Sequence, residues 1–171
     1  MPEAACIFDT TVLSNFALIG QVALLGKLYR GRAFTTLMVA DEIRRGIEAG
    51  YQHLQITLEQ LTTVSPIGWL QVLPLDQANE QQLHAELSRR LDPGEASCLA
   101  LAISRGLVLA TDDLAARRRA AERNVSLTGT LGILLRLVRE KHLSLVAANR
   151  FLAEMVQQRY RSPVYELDDL V

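Results

Sequence analysis

The sequence contains few cysteine, histidine or aromatic residues. Its two cysteines, Cys6 and Cys98, are too few for a disulfide scaffold and form no Cys-x-x-Cys pair, which argues against thiol and metal–thiolate chemistry. The three histidines, His53, His84 and His142, have no second ligand at helical spacing, which argues against a zinc site. Aromatic residues form 5% of the chain and none lies among the clustered arginines, so base-stacking platforms are not predicted.

Long hydrophobic runs and an excess of one charge are also absent. The longest uncharged stretch, 10–26, is interrupted by polar residues and glycines, so we expect a soluble cytoplasmic protein without a membrane span. The formal net charge of −1 provides no general attraction to polyanions. Arginine nevertheless accounts for 16 of the 18 basic residues, and its planar guanidinium group suits phosphate. Any polyanion must therefore bind at local patches.

What is present is a globular composition, 49% hydrophobic, with alternating strand and helix patterns. Short apolar runs predict strands at 5–8, 34–39, 69–73, 107–110 and 125–127. Helical spacing predicts one or two helices over 12–29 and single helices at 41–47, 77–90, 92–106, 114–123, 130–141 and 144–159. This alternation predicts a three-layer α/β/α sandwich with a central parallel β-sheet. We expect one domain over 1–171, in which 160–171 form a short C-terminal tail.

Acidic residues follow several of the predicted strands. They are Asp9, Glu42, Asp112 and Asp113, joined by Glu95 near the start of a buried helix. Because ligands bind beyond the carboxyl ends of parallel strands, we expect these acids to converge. A pocket of oxygen ligands without histidine or cysteine favours Mg²⁺ or Mn²⁺, and such a site suits phosphodiester hydrolysis.

Each acid also has a purely structural interpretation. The segment 92–95 is typical of a capping box, in which the Glu95 side chain binds the Asp92 backbone. Asp9 and one of the two acids after the strand 107–110 are suitable N-caps, and Glu42 would complement a helix dipole. The acids of the C-terminal tail are expected to be solvated.

Arginines follow two of the acidic segments. Arg44 comes after Glu42, and Arg117 and Arg118 come after Asp113. We predict that these three arginines contact phosphate groups. The alternative is a solvated helix face, because consecutive arginines point in different directions around a helix.

Six motifs, taken in order, resemble the PIN-domain nucleases, and more narrowly the VapC-toxin-like branch called the DUF3368-like group. Together they span nearly the whole chain. The motifs are Asp9-Thr10-Thr11-Val12-Leu13, Val39-Ala40-Asp41-Glu42-Ile43, Leu91-Asp92-Pro93-Gly94-Glu95-Ala96, Ala110-Thr111-Asp112-Asp113, Gly129-Thr130-Leu131-Gly132-Ile133-Leu134 and Arg161-Ser162-Pro163-Val164-Tyr165.

The resemblance implies a metal-dependent endoribonuclease, the toxin of a toxin–antitoxin pair, that uses Mg²⁺ or Mn²⁺. The implied catalytic acids are Asp9, Glu42, Glu95 and Asp112, and the implied metal ligands are Asp9, Glu95, Asp112 and Asp113. Thr11 would orient Asp9. Many relatives have aspartate where this chain has Glu95, and the adjacency of Asp112 and Asp113 leaves the fourth ligand open. The implied partners are an RNA substrate, a small antitoxin protein and a second copy of the chain in a homodimer.

Two other functions compete with this hypothesis. A catalytically silent PIN-like domain that binds RNA or a protein partner is favoured by Glu95 in place of aspartate. A haloacid-dehalogenase-like phosphatase needs a second aspartate two residues after Asp9, and Thr11 occupies that position, so we reject this alternative.

Overall fold

The computed structural model describes residues 4–171, so residues 1–3 of the predicted domain lie outside the described part. The strands of the described part are β1 (Cys6–Phe8), β2 (Ala33–Thr36), β3 (Gln71–Leu73), β4 (Val108–Ala110) and β5 (Leu127–Thr128). They pair in parallel in the order β3-β2-β1-β4-β5. The chain therefore builds outward from β1 to β3 and then returns to place β4 and β5 on the other side of β1.

Helices separate these strands and cover the sheet. They are α1 (Thr10–Leu18), α2 (Ala23–Tyr29), α3 (Leu37–Glu48), α4 (Gln55–Leu58), α5 (Ala78–Leu87), α6 (Pro93–Arg105), α7 (Leu114–Glu122), α8 (Thr130–Arg139) and α9 (Leu145–Gln157), with 3-10 turns at Gln52–Leu54 and Asp168–Leu170. The first helical stretch is divided into α1 and α2 by a turn at Gly20, whose φ of +67° favours glycine. The predicted three-layer α/β/α fold is confirmed.

The core is centred on β1 and α6. All three side chains of β1 are fully buried, and α6 packs against β1, β2 and β4 through small residues that permit close approach. Cys98 of α6 is fully buried, and its thiol donates to the Phe8 carbonyl oxygen at 3.4 Å. Cys6 and Cys98 are thus small core residues, as predicted.

The second strand and its helix differ from the prediction. The apolar run 34–39 predicted strand to residue 39, but β2 ends at Thr36 and α3 begins at Leu37 rather than at Asp41. The Thr36 hydroxyl accepts a hydrogen bond from Val39 N at 3.2 Å, which caps the helix early. Glu42 therefore lies in the second turn of α3 and not directly after the strand.

The C-terminal residues fold back onto the domain. Leu167 is fully buried, and Asn149 of α9 binds both Leu167 N and the Asp168 carboxylate, at 2.8 and 2.7 Å. Arg139 donates to the Leu170 carbonyl oxygen at 2.6 Å. The tail acids are exposed as expected, but the segment itself is anchored. Among the helices described between residues 4 and 171, none has the length and apolar character needed to cross a bilayer.

Candidate active site

The acids lie at the carboxyl edge of the sheet, between β1 and β4, where the chain changes from adding strands on one side of β1 to adding them on the other. β2 lies on one side of β1 and β4 on the other, so the loops that leave β1 and β4 diverge from a common point at the carboxyl edge. Such a switch point is where open parallel sheets bind ligands. Asp9 leaves β1 at this point, and Asp112 and Asp113 leave β4. Asp9 N donates to the Ala110 carbonyl oxygen at 3.1 Å, which holds the two chain segments together.

The Asp9 side chain is 1% exposed and caps α1, as the structural interpretation predicted. Its Oδ1 accepts hydrogen bonds from Thr11 N at 3.0 Å and from the Thr11 hydroxyl at 2.6 Å. The Thr111 hydroxyl donates to Oδ2. The Thr11 hydroxyl also accepts from Asp112 N at 3.0 Å, so Thr11 joins the two acidic loops. The Thr11 hydroxyl thus contacts Asp9, as the family resemblance implied for a side chain that orients this acid.

Asp112 and Asp113 have different partners. The Asp112 carboxylate accepts from Thr130 N at 2.9 Å, from the Thr130 hydroxyl, and from the Asn15 amide at 3.0 Å. Gly129 makes this approach possible, because a Cβ there would lie 2.6 Å from Asp112 Oδ1. Asp113 instead caps α7, accepting from Ala116 N at 2.8 Å through Oδ1. Both acids therefore lie at the site, and Asp113 is the one that serves as the N-cap.

Glu42 links three helices. Its Oε2 accepts from the Thr10 hydroxyl of α1 at 2.6 Å, and its Oε1 accepts from Gly94 N in the first turn of α6 at 2.9 Å. The carboxylate lies so close to Gly94 that a Cβ at that position would collide with both of its oxygens. The free N–H groups at the start of a helix attract anions, and the start of α6 stabilises the Glu42 carboxylate in this way. Glu42 itself lies in the second turn of α3.

Glu95 is both a helix-capping residue and a neighbour of the other acids. Its Oε2 accepts from Asp92 N at 3.3 Å, which completes the predicted capping box with Asp92. Its pKa is nevertheless raised to about 7, first by burial and then by the negative charges of Asp113 and Asp9. Glu95 is therefore a helix cap and also a member of the acidic centre.

The acidic centre, defined here as Asp9, Glu42, Glu95, Asp112 and Asp113, carries uncompensated negative charge. Burial, despite hydrogen bonds from Thr11 and Thr111, raises the pKa of Asp9 to about 6, and the Asp112 charge adds to the shift. Within residues 4–171, no basic side chain forms an ion pair with any member. In the same part of the chain, no three acid, histidine or cysteine side chains are grouped closely enough to hold a metal ion.

A groove of about 1000 Å³ opens beside the acidic centre. Its polar end contains Thr11, Asn15, Asp112 and Asp113, and its other wall is formed by the C-terminal residues 159–163. Residues 161–165 form the last of the six motifs, but no pattern in the sequence predicted that this segment borders the site. The sequence also did not single out Asn15, which binds Asp112, although it lies four residues after Thr11 and therefore on the same face of α1.

The three predicted phosphate-binding arginines lie in three different surroundings. Arg117 lines the groove, but its Nη1 donates to the carbonyl oxygens of Thr111 and Thr128 at 2.9 and 3.2 Å and so ties β4 to β5. Arg118 is exposed on another face of α7. Arg44 is exposed and pairs with Asp41 at 3.2 Å. The structure does not bring these arginines together, and their contact with phosphate stays a prediction.

The family model DUF3368, which describes a PIN domain, matches residues 5–170. The chain belongs to the PIN-domain family. PIN domains are generally nucleases, so the match gives this chain a nuclease-type fold, and the resemblance inferred from the six motifs is confirmed. No curated protein matches the sequence.

Proposed function

We propose that this PIN domain is a metal-dependent endoribonuclease that hydrolyses RNA phosphodiester bonds at the acidic centre. The observation that carries the proposal is the set of carboxylates around the switch point of the sheet, buried or half-buried and without any basic partner among the described residues. Structural acids in such positions are normally paired, whereas a site for a cation needs its negative charge left free.

The donor set fits Mg²⁺ or Mn²⁺. Every donor is a carboxylate oxygen, and the raised pKa values of Asp9 and Glu95 reflect burial next to other negative charges that a cation would offset. Mg²⁺ commonly keeps several water ligands and binds through one or two carboxylates, so it does not require a closed group of three acids. The carboxylates that would hold it, one or two directly and the others through water, come from Asp9, Glu95, Asp112 and Asp113. When bound, the cation polarises a phosphate oxygen and activates water for attack.

The protein side chains supply the arrangement around that chemistry. Thr11, Thr111 and Thr130 donate hydroxyl hydrogen bonds that fix the orientation of Asp9 and Asp112. Glu42, fixed by Thr10 and Gly94, adds a fixed negative charge at the start of α6. The neighbouring groove gives a nucleotide strand access to these acids, with Arg159 and Arg161 on its far wall.

The resemblance of the six motifs to VapC-type toxins supports a proposal for the biological setting. We propose that the protein is the toxin of a toxin–antitoxin pair, that a small antitoxin protein restrains it, and that it forms a homodimer. An acidic centre that captures a cation and a groove lined by arginine and leucine side chains are surfaces that an inhibitory protein would need to cover.

Cleavage of a labelled mixed RNA pool tests the nuclease proposal. Wild type and Asp9→Asn are purified in parallel and assayed with Mn²⁺, with Mg²⁺ and with chelator, and Asp169→Asn in the exposed tail serves as the matched control. We expect cleavage by wild type and the control, only with metal, and a loss of at least about a hundredfold in Asp9→Asn. Equal cleavage by all three proteins would contradict the proposal.

A second candidate is a catalytically silent PIN domain that binds RNA or a protein partner. The observation that favours it is that no three potential metal ligands are grouped together within residues 4–171. It predicts RNA binding without metal-dependent cleavage. Strong Mn²⁺-dependent hydrolysis by wild type would exclude it.

A further inference from the structure

A second concave surface lies on a different face of α7 from the active-site groove. This surface, which we call the arginine depression, has a volume of about 510 Å³ and is lined by Arg90, Ala115, Arg118, Arg119 and Glu122. The groove is lined instead by Leu114 and Arg117 of the same helix. Consecutive arginines on α7, Arg117 and Arg118, therefore line two separate concave surfaces.

Two arginines of the depression have no carboxylate partner in the described part of the chain. Arg119 pairs with Glu122 at 2.8 Å within the depression. Arg90 and Arg118 form no ion pair, although both line the same small surface. Two like charges that line one small surface repel each other, and an anion bound between them would relieve that repulsion.

The fold keeps these two arginines beside each other. Arg123, one residue past the end of α7, forms an ion pair with Glu86 of α5. Arg90 lies just beyond α5 in the turn that leads to α6, and α6 itself packs against α7. The Arg123–Glu86 pair thus fixes the end of α5 against α7, which places Arg90 next to Arg118.

Two residues of the depression lie close along the chain to the acidic centre. Arg90 lies two residues before Asp92, the N-cap of the helix that carries Glu95. Ala115 lies two residues after Asp113, the N-cap of α7. The depression is therefore attached to the two helices whose first turns carry Glu95 and follow Asp113.

We propose that the arginine depression binds a backbone phosphate of the RNA strand next to the phosphate that is cleaved. The strand then passes over the N-terminal end of α7, with one part in the groove and the next phosphate held by Arg90 and Arg118. This inference rests on the proposed nuclease function. Because the net charge of −1 provides no general attraction, local contacts of this kind supply the affinity for RNA.

Binding without catalysis tests the depression directly. The affinity of a fluorescent 20-nucleotide single-stranded RNA is measured by anisotropy in chelator over a range of salt concentrations. The double variant Arg90→Gln/Arg118→Gln is compared with Arg30→Gln/Arg150→Gln, which removes the same charge from exposed positions elsewhere. We expect the first variant to bind about fivefold more weakly than the control and to lower the slope of log affinity against log salt by about 0.7, the value for one single-strand phosphate contact.

Cleavage assays separate this inference from the proposed function. A neutral methylphosphonate beside the cleaved bond should slow wild type, but it should not slow Arg90→Gln/Arg118→Gln further. A protein that binds RNA through the depression and never cleaves would remove the proposed nuclease and leave the anion site. Equal RNA affinity and salt slope in both double variants, or no RNA binding by wild type, would overturn the inference. If Arg90→Gln/Arg118→Gln binds RNA like the control but no longer binds a protein partner, the depression is a protein-binding surface, and the inference is also overturned.

Discussion

The Asp9 carboxylate is buried next to Asp112 and has no basic partner among the described residues, an arrangement that destabilises the fold at neutral pH. Its pKa rises from 3.8 to about 6, chiefly through burial. A group with a raised pKa in the folded state lowers stability as the pH rises through the interval between the unfolded and folded values. The site thus keeps a charged side chain that the fold alone would not favour.

Asp9→Asn is therefore expected to stabilise the metal-free protein above pH 6. Asparagine keeps an oxygen that can cap α1, and it removes a buried charge worth about 2–3 kcal/mol at a shift of this size. In chelator at pH 8 we expect a melting temperature roughly 5 °C or more above that of wild type. Thermal denaturation of both proteins measures this.

The same comparison at pH 4 provides the control, because Asp9 is then largely protonated in the folded state. The difference between Asp9→Asn and wild type should shrink there, and Asp169→Asn should resemble wild type at both pH values. An Asp9→Asn protein that is less stable than wild type at pH 8 would show that the carboxylate stabilises the fold.

Gly94 is a second position of interest, because the Glu42 carboxylate leaves no room there for a larger side chain. A methyl group there would collide with the Glu42 carboxylate, whereas the greater helix propensity of alanine offsets part of that cost in the first turn of α6. We expect Gly94→Ala to stay within about 1 kcal/mol of wild type in stability but to cleave RNA at least about tenfold more slowly. Urea denaturation and cleavage rates measure the two effects.

The pair Glu42→Ala and Glu42→Ala/Gly94→Ala identifies the cause. If the methyl group acts by displacing Glu42, the double variant should be no slower than Glu42→Ala alone. A further loss in the double variant would mean that Gly94 contributes through another contact.

At the scale of single residues, the sequence predicted helix caps better than it predicted hydrogen bonds between residues far apart in the chain. Asp9, Asp113 and the 92–95 box are caps, as their local pattern indicated. The contact of Glu42 with Gly94 joins residues that are 52 positions apart, and no local pattern contains it. Hydrogen bonds of this kind depend on the packing of whole elements.

At the scale of elements, the start of α3 shows how a cap decides where a strand ends. Residues 37–39 continue the apolar run of the strand, yet Leu37 and Met38 are good helix formers, and Thr36 caps the first turn by accepting from Val39 N. The helix consequently extends through Glu42, which approaches the site from its second turn. The prediction of an acid near this edge was useful, although the boundary of the strand was wrong.

The ion pair between Glu80 and Arg105 joins α5 to α6. Glu80 is fully buried and accepts from Arg105 at 2.7 Å, and this contact lowers the pKa of Glu80. We expect Glu80→Gln to destabilise the protein by about 2 kcal/mol at pH 7, because the partly buried Arg105 guanidinium then keeps only the exposed Asp76 carboxylate, at 3.1 Å, as a counter-charge. Chemical denaturation measures the loss, and Glu59→Gln, an exposed glutamate with no basic partner among the described residues, is the control.

The pH dependence of that loss has a defined sign. A depressed pKa in the folded state stabilises the protein above the unfolded value and ceases to do so as the pH falls through the folded value. The difference between wild type and Glu80→Gln should therefore narrow below pH 4. A difference that is constant from pH 7 to pH 3 would indicate a loss of packing and not of charge.

The C-terminal segment is an element that the sequence described poorly. Composition predicted a solvated acidic tail, but buried Leu167 anchors it beside the groove, together with Asn149, which accepts from Leu167 N and donates to the Asp168 carboxylate. Asn149→Ala should cost about 1 kcal/mol and increase amide exchange within residues 160–171. It should also weaken RNA binding, because this segment forms one wall of the groove.

Hydrogen–deuterium exchange followed by peptide mass spectrometry makes that measurement. Asn79→Ala is the matched control, since Asn79 also makes a side-chain hydrogen bond, at 3.1 Å to Ser104, but far along the chain from the tail. Unchanged exchange in 160–171 would mean that buried Leu167 and the hydrogen bond from Arg139 to Leu170 hold the segment without Asn149.

At the scale of the whole molecule, strand order decides which acids meet. The alternation of strands and helices predicted a parallel sheet, and the order and spacing of the six motifs indicated the family. The order β3-β2-β1-β4-β5 is not written in any single motif, yet it places the loops after β1 and β4 at the switch point. The separation of Arg117 from Arg118 likewise follows from the packing of α7.

The central claim is that the acidic centre binds a divalent cation in order to cleave RNA. The most direct test measures Mn²⁺ binding by calorimetry and the Mn²⁺ dependence of RNA cleavage with the same preparations of wild type, Asp9→Asn and Asp169→Asn. We predict that half-maximal cleavage by wild type and Asp169→Asn occurs near the Mn²⁺ dissociation constant, and that Asp9→Asn loses both binding and cleavage. Cleavage in chelator, or Mn²⁺ binding by Asp9→Asn as tight as that of wild type, would contradict the claim.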